Sequence, residues 1–219
     1  MPTNGTPPSD GAPKSLVRGF PVKRFAVAAL LLITVAIMGF ISLERVKGKA
    51  ALIVGDTLPG LADAGMANAA LSEDFNHTLL MAMTGATEEQ ARYREASDRF
   101  AQESKRYLDQ YEKSIFSPGD RINFIHLLER RKDYLETRQQ VYGLVSVNKR
   151  PEALALCRES LLPAYKSYKA AGELLLAYNV HQGESRGDSI LRFCRFTQYA
   201  VAGCVIALFV LGFIIGVFK

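Results

Sequence analysis

The chain has 219 residues, of which 48% are hydrophobic and 22% are charged, and 27 Lys and Arg against 22 Asp and Glu give a net charge of +5. This composition is too apolar for a disordered chain and too charged for a transporter with many spans. The basic residues form no patch with interleaved aromatic residues, which argues against a nucleic-acid-binding protein. The three cysteines form no C-x-x-C pair, so the sequence indicates neither a disulfide framework nor a zinc site.

The first 43 residues predict a tail and a membrane anchor. Residues 1–24 begin rich in Pro, Gly, Ser and Thr and end in basic residues, so we predict a disordered cytoplasmic tail. Residues 25–43 contain no charged residue and, at ~1.5 Å per residue, approach the ~30 Å thickness of the hydrocarbon core. A cleaved signal peptide is the alternative. Its apolar run is usually about 7–15 residues long, and here Glu44 and Arg45 follow a longer run directly, which favours an uncleaved anchor.

A second uncharged stretch, residues 196–218, predicts a second transmembrane helix, with only Lys219 after it. Two spans and a basic N-terminal tail place both termini in the cytoplasm. Residues 44–195 would then lie outside the cytoplasm. Basic residues also flank the outer ends of the spans, Arg45 and Arg195 among them, and these favour the opposite orientation.

Between the spans, apolar residues recur every three or four positions and predict four helices, at about 45–84, 88–115, 118–147 and 151–194. Thr87 to Gln90 has the spacing of a capping box, Ser117 precedes Pro118 as an N-cap, and Asn148 to Pro151 is read in the same way. The predicted inner row of the third helix is Ile125, Leu128, Leu135, Tyr142 and Val145. The predicted inner row of the fourth is Leu154, Cys157, Leu161, Ala164, Tyr168, Ala171, Leu175 and Tyr178.

The short turns between these helices predict the fold class. Consecutive helices joined by few residues run antiparallel. We therefore expect an all-α protein, an up-down-up-down antiparallel four-helix bundle between two transmembrane helices. We expect Pro59 and Gly65 to interrupt the first helix, where either Leu58, Leu61, Phe75 and Leu79 or Leu61, Leu71, Phe75 and Ala82 could form the inner row.

Three segments carry a family resemblance: Leu58-Pro59-Gly60-Leu61, the charged turn from Asn148 to Leu154, and Leu162-Pro163-Ala164-Tyr165. With the tail, the spans and the bundle, they resemble the four-helix-bundle ligand-binding region of methyl-accepting chemotaxis receptors, over about residues 20–219. Receptors of that family continue into a HAMP linker and a cytoplasmic signalling coiled coil. We expect this chain to lack both, and to pass any signal to a membrane partner.

The resemblance implies a bacterial inner membrane, with residues 44–195 in the periplasm. It also implies a homodimer and a small-molecule ligand on the outer half of the bundle, where arginine forks can hold carboxylates. The arginines in the corresponding positions are Arg92, Arg94, Arg99, Arg150 and Arg158. A solvated helix face is the alternative interpretation, because each has an acid within three or four residues. For dimerisation we expect Gly212 and Gly216, a G-x-x-x-G pair in the second span, with Gly203 and Ala207 as a second small-residue pair.

The sequence predicts no catalytic, cofactor or metal site. His77, His126 and His181 fall on three different predicted helices, and the Glu-x-x-His and C-x-x-C-H motifs of di-iron and haem sites do not occur. We therefore expect a non-enzyme without a cofactor: a membrane-bound sensory or interaction module in contact with the lipid bilayer. A membrane scaffold that binds no small ligand is the alternative, and a metal- or haem-binding bundle is a third.

Overall fold

The computed structural model describes residues 22–217, which are helical apart from three short turns and contain no strand. The elements are α1 (Val22–Leu52), a first π turn (Ile53–Thr57), α2 (Leu58–Met83), α3 (Thr87–Lys113), α4 (Pro118–Ser146), α5 (Arg150–Leu156), a second π turn (Cys157–Leu161) and α6 (Leu162–Val217). Residues 1–21 of the predicted tail lie outside the described residues, and α1 already includes its last three, Val22 to Arg24.

The chain divides into two compact units, which are Leu43–Arg195 and the described residues on either side of it, 22–42 and 196–217. In the flanking unit, Thr197 Oγ1 donates a hydrogen bond of 2.7 Å to Ser42 Oγ. Each uncharged stretch lies in a helix that is long and apolar enough to cross a membrane. Large apolar side chains are exposed there, such as Leu30 at 65% and Phe209 at 77%, as lipid-facing residues would be.

The unit Leu43–Arg195 is the predicted all-α, up-down-up-down four-helix bundle. Its helices are α2, α3, α4 and the run formed by α5, the second π turn and α6. The turns at 84–86 and 147–149 mark what we call the far end, and the turn at 114–117 marks the near end. The largest fully buried apolar side chains are Tyr111, Tyr134, Phe124, Leu71, Met81, Leu127, Leu161, Leu175 and Val141.

Both π turns have the same cause in the sequence. Each ends one residue before a Leu-Pro pair, Leu58-Pro59 in the first case and Leu162-Pro163 in the second. A proline inside an α-helix lacks the N–H that would bond four residues back, and its ring clashes with that carbonyl. The wider turn moves the carbonyl away, so the helix continues past each proline: the Leu58 N–H reaches the Ile53 carbonyl, five residues back. Pro59 and Gly65 therefore do not interrupt the first bundle helix.

Of the three predicted helix starts, one is confirmed. Ser117 is the N-cap of α4, and its Oγ accepts a hydrogen bond of 3.1 Å from the Asp120 N–H. The predicted capping box is wrong, because α3 is capped by Ala86 without a side-chain bond and Gln90 instead donates to the Thr84 carbonyl. Asn148 is not an N-cap either. Its φ of 59° ends α4 in the left-handed conformation, which Asn tolerates better than most residues.

The predicted inner row of the fourth bundle helix is largely confirmed, since Cys157, Leu161, Tyr168, Ala171 and Leu175 are buried. The predicted inner row of α4 is confirmed at Tyr142 and Val145 and wrong at Ile125 and Leu128, which are 50% and 39% exposed. The buried row of α4 consists of Phe124, Leu127, Tyr134, Arg138, Val141, Tyr142 and Val145. Arg138 can lie on this row because it has a carboxylate partner in the core.

Candidate functional site

A buried charge pair lies in the far half of the bundle. Arg138 Nη1 of α4 donates to Asp74 Oδ1 of α2 at 2.7 Å, and the two side chains are 6% and 2% exposed. Arg138 Nη2 donates at 3.2 Å to Asp98 of α3, whose side chain is 42% exposed. The guanidinium therefore connects a fully buried carboxylate with one that reaches the surface, across three helices.

Hydroxyl groups complete this far polar cluster. Ser97 Oγ contacts Asp74 Oδ1, and the Tyr142 hydroxyl donates to Ser97 Oγ at 2.7 Å. Thr78 Oγ1 lies 2.9 Å from the same Ser97 oxygen. Burial raises the pKa of Asp74, and the Arg138 charge beside it limits that rise. For Arg138, burial alone would lower the pKa, but the negative charge of Asp74 reverses this and keeps the guanidinium protonated.

A second group of polar side chains lies towards the near end. Tyr111 of α3 donates to Asp120 Oδ1 of α4 at 2.5 Å, and Asn179 of α6 donates to the Tyr111 hydroxyl at 2.6 Å. Burial contributes most to a raised pKa of the Tyr111 hydroxyl, and the hydrogen bond to Asp120 raises this pKa further, so the group stays protonated. Arg186 of α6 forms an ion pair of 2.7 Å with Asp56 of the first π turn. This near polar cluster connects α3, α4, α6 and the first π turn.

The cavity described in the interior of the bundle is small. Leu71, Asp74, Ser104, Tyr134 and Tyr168 are among the residues around this void of about 10 Å³. A void of this size approaches the volume needed for one water molecule. It cannot hold an organic ligand, and the other described cavities lie at the surface of the chain.

The structure separates the five predicted arginines. Arg92 is exposed on α3. Arg94 and Arg99 border a shallow depression of about 560 Å³ that is lined by α3 residues alone. Their guanidinium carbons lie 5.0 Å and 5.3 Å from the ring centres of Tyr142 and Phe100 respectively, so each arginine already has a cation–π contact.

Arg150 and Arg158 lie on the other side of the far end. Arg150 Nη2 donates to the Met83 carbonyl at 2.6 Å and so satisfies a carbonyl at the C-terminus of α2. Arg158 is exposed at the edge of a groove of about 270 Å³, with an otherwise apolar lining of Phe75, Leu79, Met83, Leu154, Cys157 and Leu162. Within residues 22–217, Arg158 has no ion pair, so its charge is available to a ligand.

Gly212 and Gly216 lie in α6, but their surroundings fall outside what the structure describes. Gly203 and Ala207 are exposed on the same helix. Of the histidines, His77 stacks on Phe100 with ring centres 5.5 Å apart. In the described range, no group of His, Cys, Asp and Glu could hold a metal ion.

The polar clusters were missed from the sequence. Their members fall on inner rows whose other positions are apolar. A charge or hydroxyl that recurs in step with a buried row is the signal that could have found them: Asp74 lies three residues after Leu71, and Arg138 lies four residues after Tyr134.

A comparison with protein families gives one match. The model of a family described as a four helix bundle sensory module for signal transduction matches residues 23–191. The match includes most of α1, the complete bundle helices α2, α3 and α4, and α6 as far as Leu191. No curated protein matches the chain.

Proposed function

The chain belongs to the family of four-helix-bundle sensory modules for signal transduction, and from this premise we propose that it is a membrane-anchored sensor whose bundle lies outside the cytoplasm. The observation that carries the proposal is the combination of this family match with the two candidate spans that flank the bundle. Both termini would lie in the cytoplasm of a bacterial cell and the bundle in the periplasm. A membrane partner would receive the signal.

The proposed ligand site is the apolar groove at the far end. A groove with an apolar lining and one free arginine suits a molecule with an apolar body and a carboxylate, because the charge fixes the orientation and the lining supplies the contact area. Arg158 is preferred to the other four predicted arginines. Arg94 and Arg99 lie over aromatic rings, Arg150 is bonded to α2, and Arg92 lines no described groove.

Dimerisation through α2 fits the exposed face of that helix. Its exposed residues follow one another in steps of three or four, as the contact row of a coiled coil does. They are Leu58, Ala62, Met66, Ala69, Glu73, Asn76, Leu80 and Met83. Six of the eight are apolar. Met83 also lines the groove, so a second copy on this row would cover part of the proposed ligand site.

The ligand test is thermal unfolding of the full chain in detergent micelles, followed by circular dichroism against a series of aliphatic and aromatic carboxylates. A ligand at about 100 times its dissociation constant should add about 2.7 kcal/mol to the free energy of unfolding. Arg158→Gln should abolish the shift, and Arg92→Gln is the matched control. If no carboxylate shifts the midpoint, or if Arg158→Gln leaves the shift unchanged, the ligand assignment is wrong.

The dimer test is the mass of the full chain in micelles by light scattering. Met66→Glu should yield monomers, because it places a charge in the middle of the α2 row. Ile122→Glu, at a site 67% exposed on α4, should leave the dimer intact. A dimer that survives Met66→Glu contradicts the assignment of α2 and directs attention to Gly212 and Gly216 in α6.

The topology test uses a single cysteine at Val147, 62% exposed at the far end, in a variant whose three native cysteines are replaced by serine. A maleimide that cannot cross membranes should label this cysteine in intact spheroplasts, and a reporter fused after Lys219 should report cytoplasm. The opposite pattern would invert the orientation.

The tight interior gives one observation in favour of the second candidate, a membrane scaffold that binds no small ligand. A scaffold predicts a cooperative melt that no small molecule shifts, together with a stable complex with a membrane protein.

A further inference from the structure

The side chain of Arg186 in α6 bonds to the first π turn. Arg186 Nη1 lies 2.7 Å from Asp56 Oδ2, 2.5 Å from Thr57 Oγ1 and 3.2 Å from the carbonyl oxygen of Leu52, the last residue of α1. Asp56 and Thr57 are 7% and 4% exposed. One guanidinium therefore contacts the end of α1 and two buried residues of the π turn.

The π turn sets the rotation of the last residues of α1, those within the unit Leu43–Arg195, relative to α2. Each residue adds about 1.5 Å to the length of an α-helix and turns the chain by about 100° around the helix axis. A turn closed over five residues instead of four contains one additional residue, so the residues before it are displaced by one such step. Pro59 makes this wide turn necessary, and the turn directs the consecutive residues Asp56 and Thr57 inward towards α6.

The backbone of α6 also approaches this turn closely. A Cβ at Gly183 would lie 3.0 Å from the Thr57 methyl carbon, whereas a Cβ at Gly187 would meet nothing within 4 Å. Gly183 and Arg186 lie about one helical turn apart on the same face. The helix therefore contacts the π turn in two ways, through a close backbone approach and through a buried ion pair.

We propose that the first π turn, Arg186 and Gly183 form a phase lock, which fixes the rotation and axial position of the end of α1 against α6 within the unit Leu43–Arg195. The lock acts whether or not a ligand binds to the bundle. Directional hydrogen bonds define one relative position of two helices, whereas apolar contacts allow several. A displacement of α6 is therefore transmitted to α1 through Arg186.

The first test is amide hydrogen exchange of the full chain in lipid nanodiscs, measured by mass spectrometry. Arg186→Gln should raise the exchange of residues 52–58 at least about tenfold, because it removes charge-assisted hydrogen bonds from a short segment, while α3 and the far half of α4 keep their protection. Arg192→Gln is the matched control, since Arg192 is exposed on the same helix. Unchanged exchange at 52–58, an equal rise in every helix, or the same rise with Arg192→Gln would overturn the proposal.

A second pair of variants keeps Arg186 in place, in case Arg186→Gln does not fold. Gly183→Ala and Gly187→Ala raise the helix propensity of α6 equally, by about 1 kcal/mol. Only Gly183→Ala places a methyl group against Thr57. It should increase exchange at residues 52–58 relative to Gly187→Ala, and equal exchange in the two variants would contradict the lock. Neither test involves a ligand, so failure of the lock and failure of the sensor proposal are distinguishable.

Discussion

Removal of one partner of the Asp74–Arg138 pair should destabilise the bundle strongly. In Asp74→Ala the guanidinium stays buried and retains only Asp98, at 3.2 Å, as a carboxylate partner. The loss of one partner from a buried pair costs about 3–5 kcal/mol, because the remaining charge is no longer compensated. For a domain of about 150 residues this corresponds to a decrease in the melting midpoint of roughly 6–20 °C.

A second variant separates the loss of the ion pair itself from the cost of leaving a buried charge without a partner. Asp74→Leu combined with Arg138→Met replaces the pair by apolar side chains of similar size, so neither charge is left without a partner. The double variant should regain most of the stability that Asp74→Ala loses. The two substitutions are therefore strongly non-additive, since the residues are in direct contact.

The assay is thermal unfolding of the full chain in micelles by circular dichroism at 222 nm. Asp109→Ala is the matched control. It removes the exposed Lys105–Asp109 pair, which has a distance of 2.6 Å but side chains 60% and 54% exposed, and it should cost less than about 1 kcal/mol. Two results would refute the reasoning: a similar small loss for Asp74→Ala and Asp109→Ala, or a double variant that is no more stable than Asp74→Ala.

Three further outcomes follow from the near half of the bundle and from the cysteines. Ser117→Ala removes the N-cap of α4 and a hydrogen bond of 2.7 Å to Tyr178. Chemical denaturation should show that the free energy of unfolding falls by about 1–2 kcal/mol, and a decrease below about 0.5 kcal/mol would contradict the cap. Burial, then the charge of Asp56, raises the pKa of Asp120, so the folded state holds this proton more tightly than the unfolded state. The free energy of unfolding should therefore fall as the pH rises above about 4, and it should fall less steeply in Asp120→Asn. Thermal melts between pH 4 and 7 measure this dependence, and equal slopes in the two proteins would exclude Asp120 as the cause. Burial also raises the pKa of the Cys157 thiol to about 11. Iodoacetamide at pH 8 should therefore alkylate the exposed Cys194 and leave Cys157 unmodified, as mass spectrometry of the treated chain would record. Alkylation of both at equal rates would show that Cys157 is accessible.

The bundle could be predicted from the sequence because its evidence is local. Apolar spacing and turn residues define each helix, and the short turns define the antiparallel order. The Ser117 cap was predictable for the same reason, since Ser followed by Pro and then an acid meets every local requirement of a helix start. Thr87 meets a similar pattern, but its predicted partner Gln90 donates instead to the backbone carbonyl of Thr84.

The polar interior could not be predicted in this way, because burial of a charge depends on a partner that is distant in sequence. Arg138 lies 64 residues from Asp74 and 40 residues from Asp98. Taken alone, an arginine among the apolar residues of α4 indicates an exposed position, whereas the predicted positions Ile125 and Leu128 are the exposed ones. The proposed ligand site depends in the same way on tertiary structure, because α2 and the second π turn form the groove together.

The last bundle helix has directional contacts with α2, α3, the near-end turn and the first π turn, and these define its position. Apolar side chains can slide past one another at little cost, but a hydrogen bond weakens steeply when its geometry changes. The contacts of α6 run along its length and reach α2, α3, the near-end turn and the first π turn. They are Tyr165 with Ser72, Tyr168 with Ser104, Tyr178 with Ser117, Asn179 with Tyr111 and Arg186 with Asp56. A displacement of α6 along its axis is therefore opposed by all of these bonds together and not by one contact alone.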